Sequence, residues 1–242
     1  MRRTLHPAGL AIVVAVLLAS CASSSTSEVP ISAATTTGVT QTSVAPTTKA
    51  HRFTAEERAD IWFSLSVNGV LVGEDSVPIT TERSFNAETI EFEAAYPLVV
   101  AMVSKDYIEN QSGLEYIGQP NQQIGDGGLI AQFTDDTTGR RVLVTSTAWR
   151  GLVIQTAPLN TDCEKSADPL ADCLFEEIPE PGGWESDSFD ATGWMTATEY
   201  TESEIGVKDG YNDVDWDPTA RLIWGDNLKT QNAILWRAPI VE

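Results

Sequence analysis

Histidine is nearly absent from this chain: its 242 residues hold two, His6 and His51. His6 lies in an N-terminal segment that reads as an export signal, and His51 stands at the start of the folded region, so the body of the domain has none. Ser-His-Asp and Cys-His nucleophile systems need an imidazole base, and His-based zinc sites need imidazole ligands, so both classes are excluded. Cations are also scarce. Fifteen Lys and Arg against thirty-five Asp and Glu give a formal charge of −20, and a surface that acidic repels phosphate backbones, which excludes nucleic acid as a ligand. No run is apolar for the ~20 residues a membrane-spanning helix needs. What survives of catalysis is a carboxylate pair of the kind glycosidases use. Acidic residues are so abundant that this carries no information, and the chain reads as non-catalytic.

What is present at the N-terminus is an address. Arg2 and Arg3 precede the apolar run Leu10 to Leu18, and Leu18-Ala19-Ser20-Cys21 follows. A short apolar run behind a basic start is the pattern of a secretory signal peptide. Its ending resembles the lipobox of bacterial lipoproteins. That resemblance implies loss of residues 1–20 and lipidation of Cys21 by palmitate-type acyl chains, with the protein held on the extracytoplasmic face of the membrane at the cell surface. Two chains suffice for stable anchoring, at ~0.8 kcal/mol per buried methylene. Loss of Arg2 and Arg3 would take the charge from −20 to −22. Residues 21–50 are dominated by Ser, Thr, Ala and Val without an aromatic, so they are expected to form a disordered tether with a mean reach of ~30 Å.

Residues 51–242 carry all seven tryptophans and suit one domain. Thr54 before Ala-Glu-Glu-Arg predicts a short helix over Thr54 to Ile61. Beyond it the signals are those of strands. Ile61, Phe63, Leu65 and Val67 alternate with polar or outward positions, and Val67-Asn68-Gly69-Val70 is a type I′ hairpin signal. Thr89 to Glu93 alternates, with Ile90 and Phe92 inward, whereas Pro97 to Val103 is apolar on both faces, as in a strand covered twice. Leu129 to Phe133, Val142 to Trp149, Leu152 to Thr156, Ala220 to Trp224 and Ala233 to Arg237 continue the series. Many short strands between turn signals predict an all-β antiparallel sandwich. Cys163 and Cys173, ten positions apart in an exported chain, predict a disulfide that staples a surface loop, with a metal pair as the alternative.

Several of these segments, taken in order, are similar to the galactose-binding-domain-like jelly rolls. The order is Val67 to Gly73 with Asn68 and Gly69, the strand Pro97 to Val103, Trp184 with Phe189-Asp190 and Trp194, the Ala-x-Leu-Ile-Trp strand ending at Trp224, and the closing Leu-Trp-Arg at Trp236 and Arg237. Ala191-Thr192 departs from the Asp-Ser usual there, and Met195 to Pro218 is long. The resemblance implies a jelly-roll β-sandwich in which Trp184 and Trp194 pack around a turn while Asp190 bonds nearby amides. Such domains bind sugars, carry a structural calcium or brace a neighbour, so carbohydrate is the leading ligand and a cell-envelope protein partner the alternative.

Two further features are candidates for a site. Asp209, Asp213, Asp215 and Asp217 lie within nine residues with Asn212 and a glycine, an oxygen-rich stretch that suits Ca2+ if it is more than a solvated loop. Trp149 and Trp216 fall near strand ends or loops, where an exposed ring can stack on a sugar face. Trp62, Trp224 and Trp236 sit within strands and are expected in the core.

Overall fold

The computed structural model describes residues 49–59, 61–77, 87–207 and 211–241. The signal peptide, Cys21, the tether up to residue 48, and Asp209 lie outside the described residues. All the described residues belong to one compact unit, Pro46–Glu242.

The first strand, β1, spans His51–Ala59, where a helix was expected. Phe53, Ala55 and Ala59 point into the core, and β1 pairs through seven residues on each side with its two neighbours. The helix preference of Ala-Glu-Glu-Arg amounts to a few tenths of a kcal/mol per residue, and two full ladders plus a buried Phe53 outweigh it. There follow β2 (Ile61–Val67), β3 (Val70–Glu74), β4 (Glu88–Ala94), β5 (Leu98–Asp106) and the small β6 (Leu114–Glu115) and β7 (Gln123–Ile124). Next come β8 (Leu129–Asp135), β9 (Arg140–Val144), β10 (Arg150–Thr156) and β11 (Glu176–Glu177). The series closes with β12 (Met195–Thr196), β13 (Thr198–Tyr200), β14 (Leu222–Trp224) and β15 (Gln231–Ile240).

These strands form two principal antiparallel sheets. One runs β13-β14-β8-β1-β4 with β9 beside β8, the other β11-β10-β15-β5-β2-β3 with β12 beside β10. The chain crosses between them at β1 to β2, β3 to β4, β4 to β5, β5 to β8 by way of β6 and β7, β9 to β10, β12 to β13 and β14 to β15, the connectivity of a jelly roll. At the β2–β3 hairpin, Asn68 and Gly69 take φ of 50° and 79°, as the type I′ turn requires. β5 is covered on both faces, as its apolar run predicts. Leu98, Val100 and Met102 enter the core between the sheets, while Ala101 and Val103 join a second cluster on the outer face.

The centre is filled by aromatics. Trp224 and Trp236 approach to 6.4 Å, and each indole N–H is satisfied, by the Gln231 carbonyl and the Ser104 hydroxyl at 2.8 Å. The segment expected as one strand from Val142 to Trp149 ends at Val144 and turns. Trp149 then swings back into the core, where its Nε1 donates to the Val144 carbonyl at 2.9 Å.

Each sheet also has its outer face covered by one long loop. Residues 201–207 and 211–220 lie on the first sheet, with Ile205, Tyr211 and Ala220 packed against Ile130 and Leu222. Residues 178–195 lie on the second, with Trp184 against Ala101, Val103 and Leu235.

Candidate functional site

The loop GWESDSFDATGW is fixed to the second sheet by a single cation. Arg237 projects from β15 onto the outer face, only 6% exposed, beneath the loop. Its guanidinium donates to the carbonyls of Trp184, of Ser186 at 2.9 Å and of Phe189 at 3.3 Å. The Phe189 ring stacks over that guanidinium at 5.4 Å, and Trp194 packs against both Phe189 and Trp184 at 5.6 and 6.1 Å. Ser66 on β2 donates to Glu185 at 2.9 Å, and the Trp184 indole donates to Glu180. Both tryptophans are therefore packing. Asp190 behaves as its motif implies, accepting from the Thr192 amide at 2.9 Å.

Where this loop meets the start of β10 and the end of β15, it leaves a cleft of about 270 Å³. Arg150, Asp187, Phe189, Asp190, Thr192 and Arg237 line it. Arg150, Asp187 and Asp190 are exposed, Phe189 is half-buried, and Arg237 forms the floor. The bonds from the Thr192 backbone and hydroxyl hold the Asp190 carboxyl below the usual aspartate range, so it is an acceptor at neutral pH and a poor proton donor. A phenyl ring, two carboxylates and an exposed guanidinium around one small cleft can take a ligand with an apolar face and several hydroxyls.

The tryptophans proposed for ligand stacking are elsewhere. Trp149 is fully buried and packs on Phe133 at 6.4 Å, so it is a core residue. Trp216 is half-buried, stacks on Tyr211 at 6.1 Å and donates to the Tyr211 carbonyl at 3.0 Å, as part of the loop that covers the first sheet. The two rings do not form one platform, because Trp149 faces the interior and Trp216 the outer face.

The acidic stretch is likewise structural where it is described. Gln132, fully buried on β8, accepts from the Asp217 amide at 2.7 Å and donates to the Asp215 carbonyl at 3.2 Å, clamping the loop to the sheet. The Asp217 carboxylate is occupied by the amide and hydroxyl of Thr219. Asp213 contributes negative charge near Arg58, whose pKa burial lowers and this aspartate raises. Among the described residues no three acidic, His or Cys side chains are grouped to hold a metal ion, and Asp209, the fourth carboxylate of the expected calcium set, lies outside them.

His51 serves to fasten the first strand. Its Nδ1 lies 2.8 Å from Asp135, which also accepts from Tyr96. Cys163 and Cys173 form the expected disulfide, with Cα atoms 5.3 Å apart. The side chains that sequence reasoning missed are Arg150 and Asp187. No motif marks them, and only the fold of the loop over β15 brings them to one cleft. Comparison with protein-family models, with curated proteins and with solved structures finds no match to this chain.

Proposed function

We propose that this chain is an exported lipoprotein, anchored through Cys21, whose sandwich is a non-catalytic binding module for carbohydrate. The cleft between Phe189, Arg150, Asp187 and Asp190 carries the reading. The half-buried Phe189 ring offers apolar contact to a sugar's C–H groups, while carboxylate and guanidinium groups accept from and donate to adjacent hydroxyls. The order of segments shared with galactose-binding-domain-like jelly rolls supports the same ligand class, although fold alone does not dictate function.

The test is calorimetric titration of the chain from Pro46 onward against a panel of mono- and polysaccharides. Saturable binding that Arg150→Ala and Asp187→Ala each weaken at least tenfold is the expected result. Both side chains are exposed, so neither change endangers the fold. Absence of binding across the panel sinks the reading.

A further inference from the structure

Exposed apolar surface on the described residues is concentrated on one loop. Leu159, Leu170, Leu174, Phe175 and Ile178 are each between 39% and 60% exposed. Scattered exposed leucines mean little, but a group of five in twenty residues marks a contact surface.

These side chains are not the tip of a floppy segment. The Cys163–Cys173 disulfide packs on buried Leu114, and the Leu159 amide donates to the Leu174 carbonyl at 2.8 Å. Asn160 donates to the Asp172 carbonyl at 2.9 Å and accepts from the Leu174 amide at 2.6 Å, while Gln122 donates to the Glu164 and Ser166 carbonyls at 2.7 and 2.9 Å. So braced, the loop holds its apolar residues in solvent. Beside it runs a groove of about 330 Å³, with Ile154 and Ile178 in its wall and three carboxylates, Asp106, Glu177 and Glu180, against one cation, Lys105, around it. It lies along β11, the terminal strand of its sheet.

Charge decides between occupants. From Asn160 to Glu180 the chain has seven carboxylates, Asp162, Glu164, Asp168, Asp172, Glu176, Glu177 and Glu180, against one cation, Lys165. Lys165 is already paired with Glu164 at 2.8 Å. Anionic lipid would be repelled by this rim, and a second copy would bring two such rims together. A basic rim on the partner turns the same charge into attraction.

We propose that the stapled loop from Leu159 to Ile178, with its groove, docks a segment of a partner protein whose apolar side chains are flanked by lysine and arginine. Apolar burial supplies the affinity and the acidic rim the selectivity and approach rate. The proposal stands independently of the carbohydrate cleft, which shares none of these residues.

The experiment uses the chain from residue 22 and a fluorescent nonapeptide of alternating leucine and lysine, read by anisotropy. Saturable binding is expected. It should weaken at least tenfold in L174S/F175S, weaken severalfold between 50 mM and 500 mM salt, and remain unchanged in V70S/L71S, which alters exposed apolar residues on the opposite sheet edge. A leucine–glutamate peptide should not bind. Equal binding by L174S/F175S and wild type overturns the proposal. So does absence of binding, or a Leu174- and Phe175-dependent dimer in sedimentation, or such an association with anionic vesicles. Equal melting temperatures of the variants and wild type establish that both are folded.

Discussion

The Arg237 guanidinium lies 5.4 Å beneath the Phe189 ring and donates to the Phe189 carbonyl, so one side chain of the last strand holds both the aromatic and the backbone of the cleft-forming loop. Three carbonyls depend on this planar donor, and a lysine ammonium cannot reach them in the same geometry. Arg237→Lys should therefore destabilise the domain by about 2–3 kcal/mol, the cost of buried acceptors left unpaired. A lower urea midpoint, with new protease cleavage between residues 184 and 194, is the expected outcome. An unchanged midpoint would show that the loop is held without Arg237, by its tryptophans and the Ser66–Glu185 bond.

The disulfide offers a second measurement. It closes a loop with a separation of ten residues, for which loss of unfolded-chain entropy contributes about 3 kcal/mol. C163S/C173S should lose up to that amount in denaturant titration, and reductant should have no further effect on it. Leucine–lysine peptide binding should also weaken in the double variant, because Leu174 and Phe175 would no longer be held in place.

The strands were legible in the sequence wherever one face alternates or a turn residue has a conformational job, as at Ile90 and Phe92 or at Asn68-Gly69. The Thr54 to Ile61 segment misled because helix capping is a local signal, whereas β1 is made by β4 and β8, which lie far along the chain. Trp149 misled for a related reason: its position after a strand end is correct, but the turn at Ser146 to Trp149 returns the ring to the core. The clamp of Gln132 on the backbone of Asp215 and Asp217 was not legible, because composition does not reveal which side chain a loop folds against. Arg150 and Asp187 carry no sequence signal, since a cleft between a loop and two strands is a property of tertiary packing. Trp184 and Trp194 were read correctly as packing from their order among the other segments.

Anchoring through Cys21 predicts a covalent lipid. Cells expressing the chain with an alkyne-tagged palmitate should label it, and Cys21→Ala should abolish the label and release the protein into the soluble exported fraction. Label retained in Cys21→Ala would overturn the lipobox assignment, whatever the sandwich binds.

Glu57 gives the domain an unusual pH dependence. It lies on β1 opposite Ala131 on one side and Glu88 on the other, wholly buried, and among the described residues neither carboxyl oxygen has a hydrogen-bond partner. Burial first, and then the Glu88 charge, push its pKa well above the ordinary glutamate value. The folded state therefore keeps a proton that the unfolded chain releases. Between the unfolded and the folded pKa the native state binds more protons, so stability falls as pH rises through that window; it is greatest below it and level above it. Carboxylates with depressed pKa values, such as Asp135 bonded by His51, act oppositely at lower pH, with stability lost as pH falls through their folded values. Glu57→Gln removes the titration while keeping the shape. Its unfolding free energy should exceed that of wild type at pH 8, by a margin on the order of 1 kcal/mol or more, and the gap should close as pH falls toward 5. A gap that is constant across that range would mean that Glu57 does not titrate differently in the folded and unfolded states.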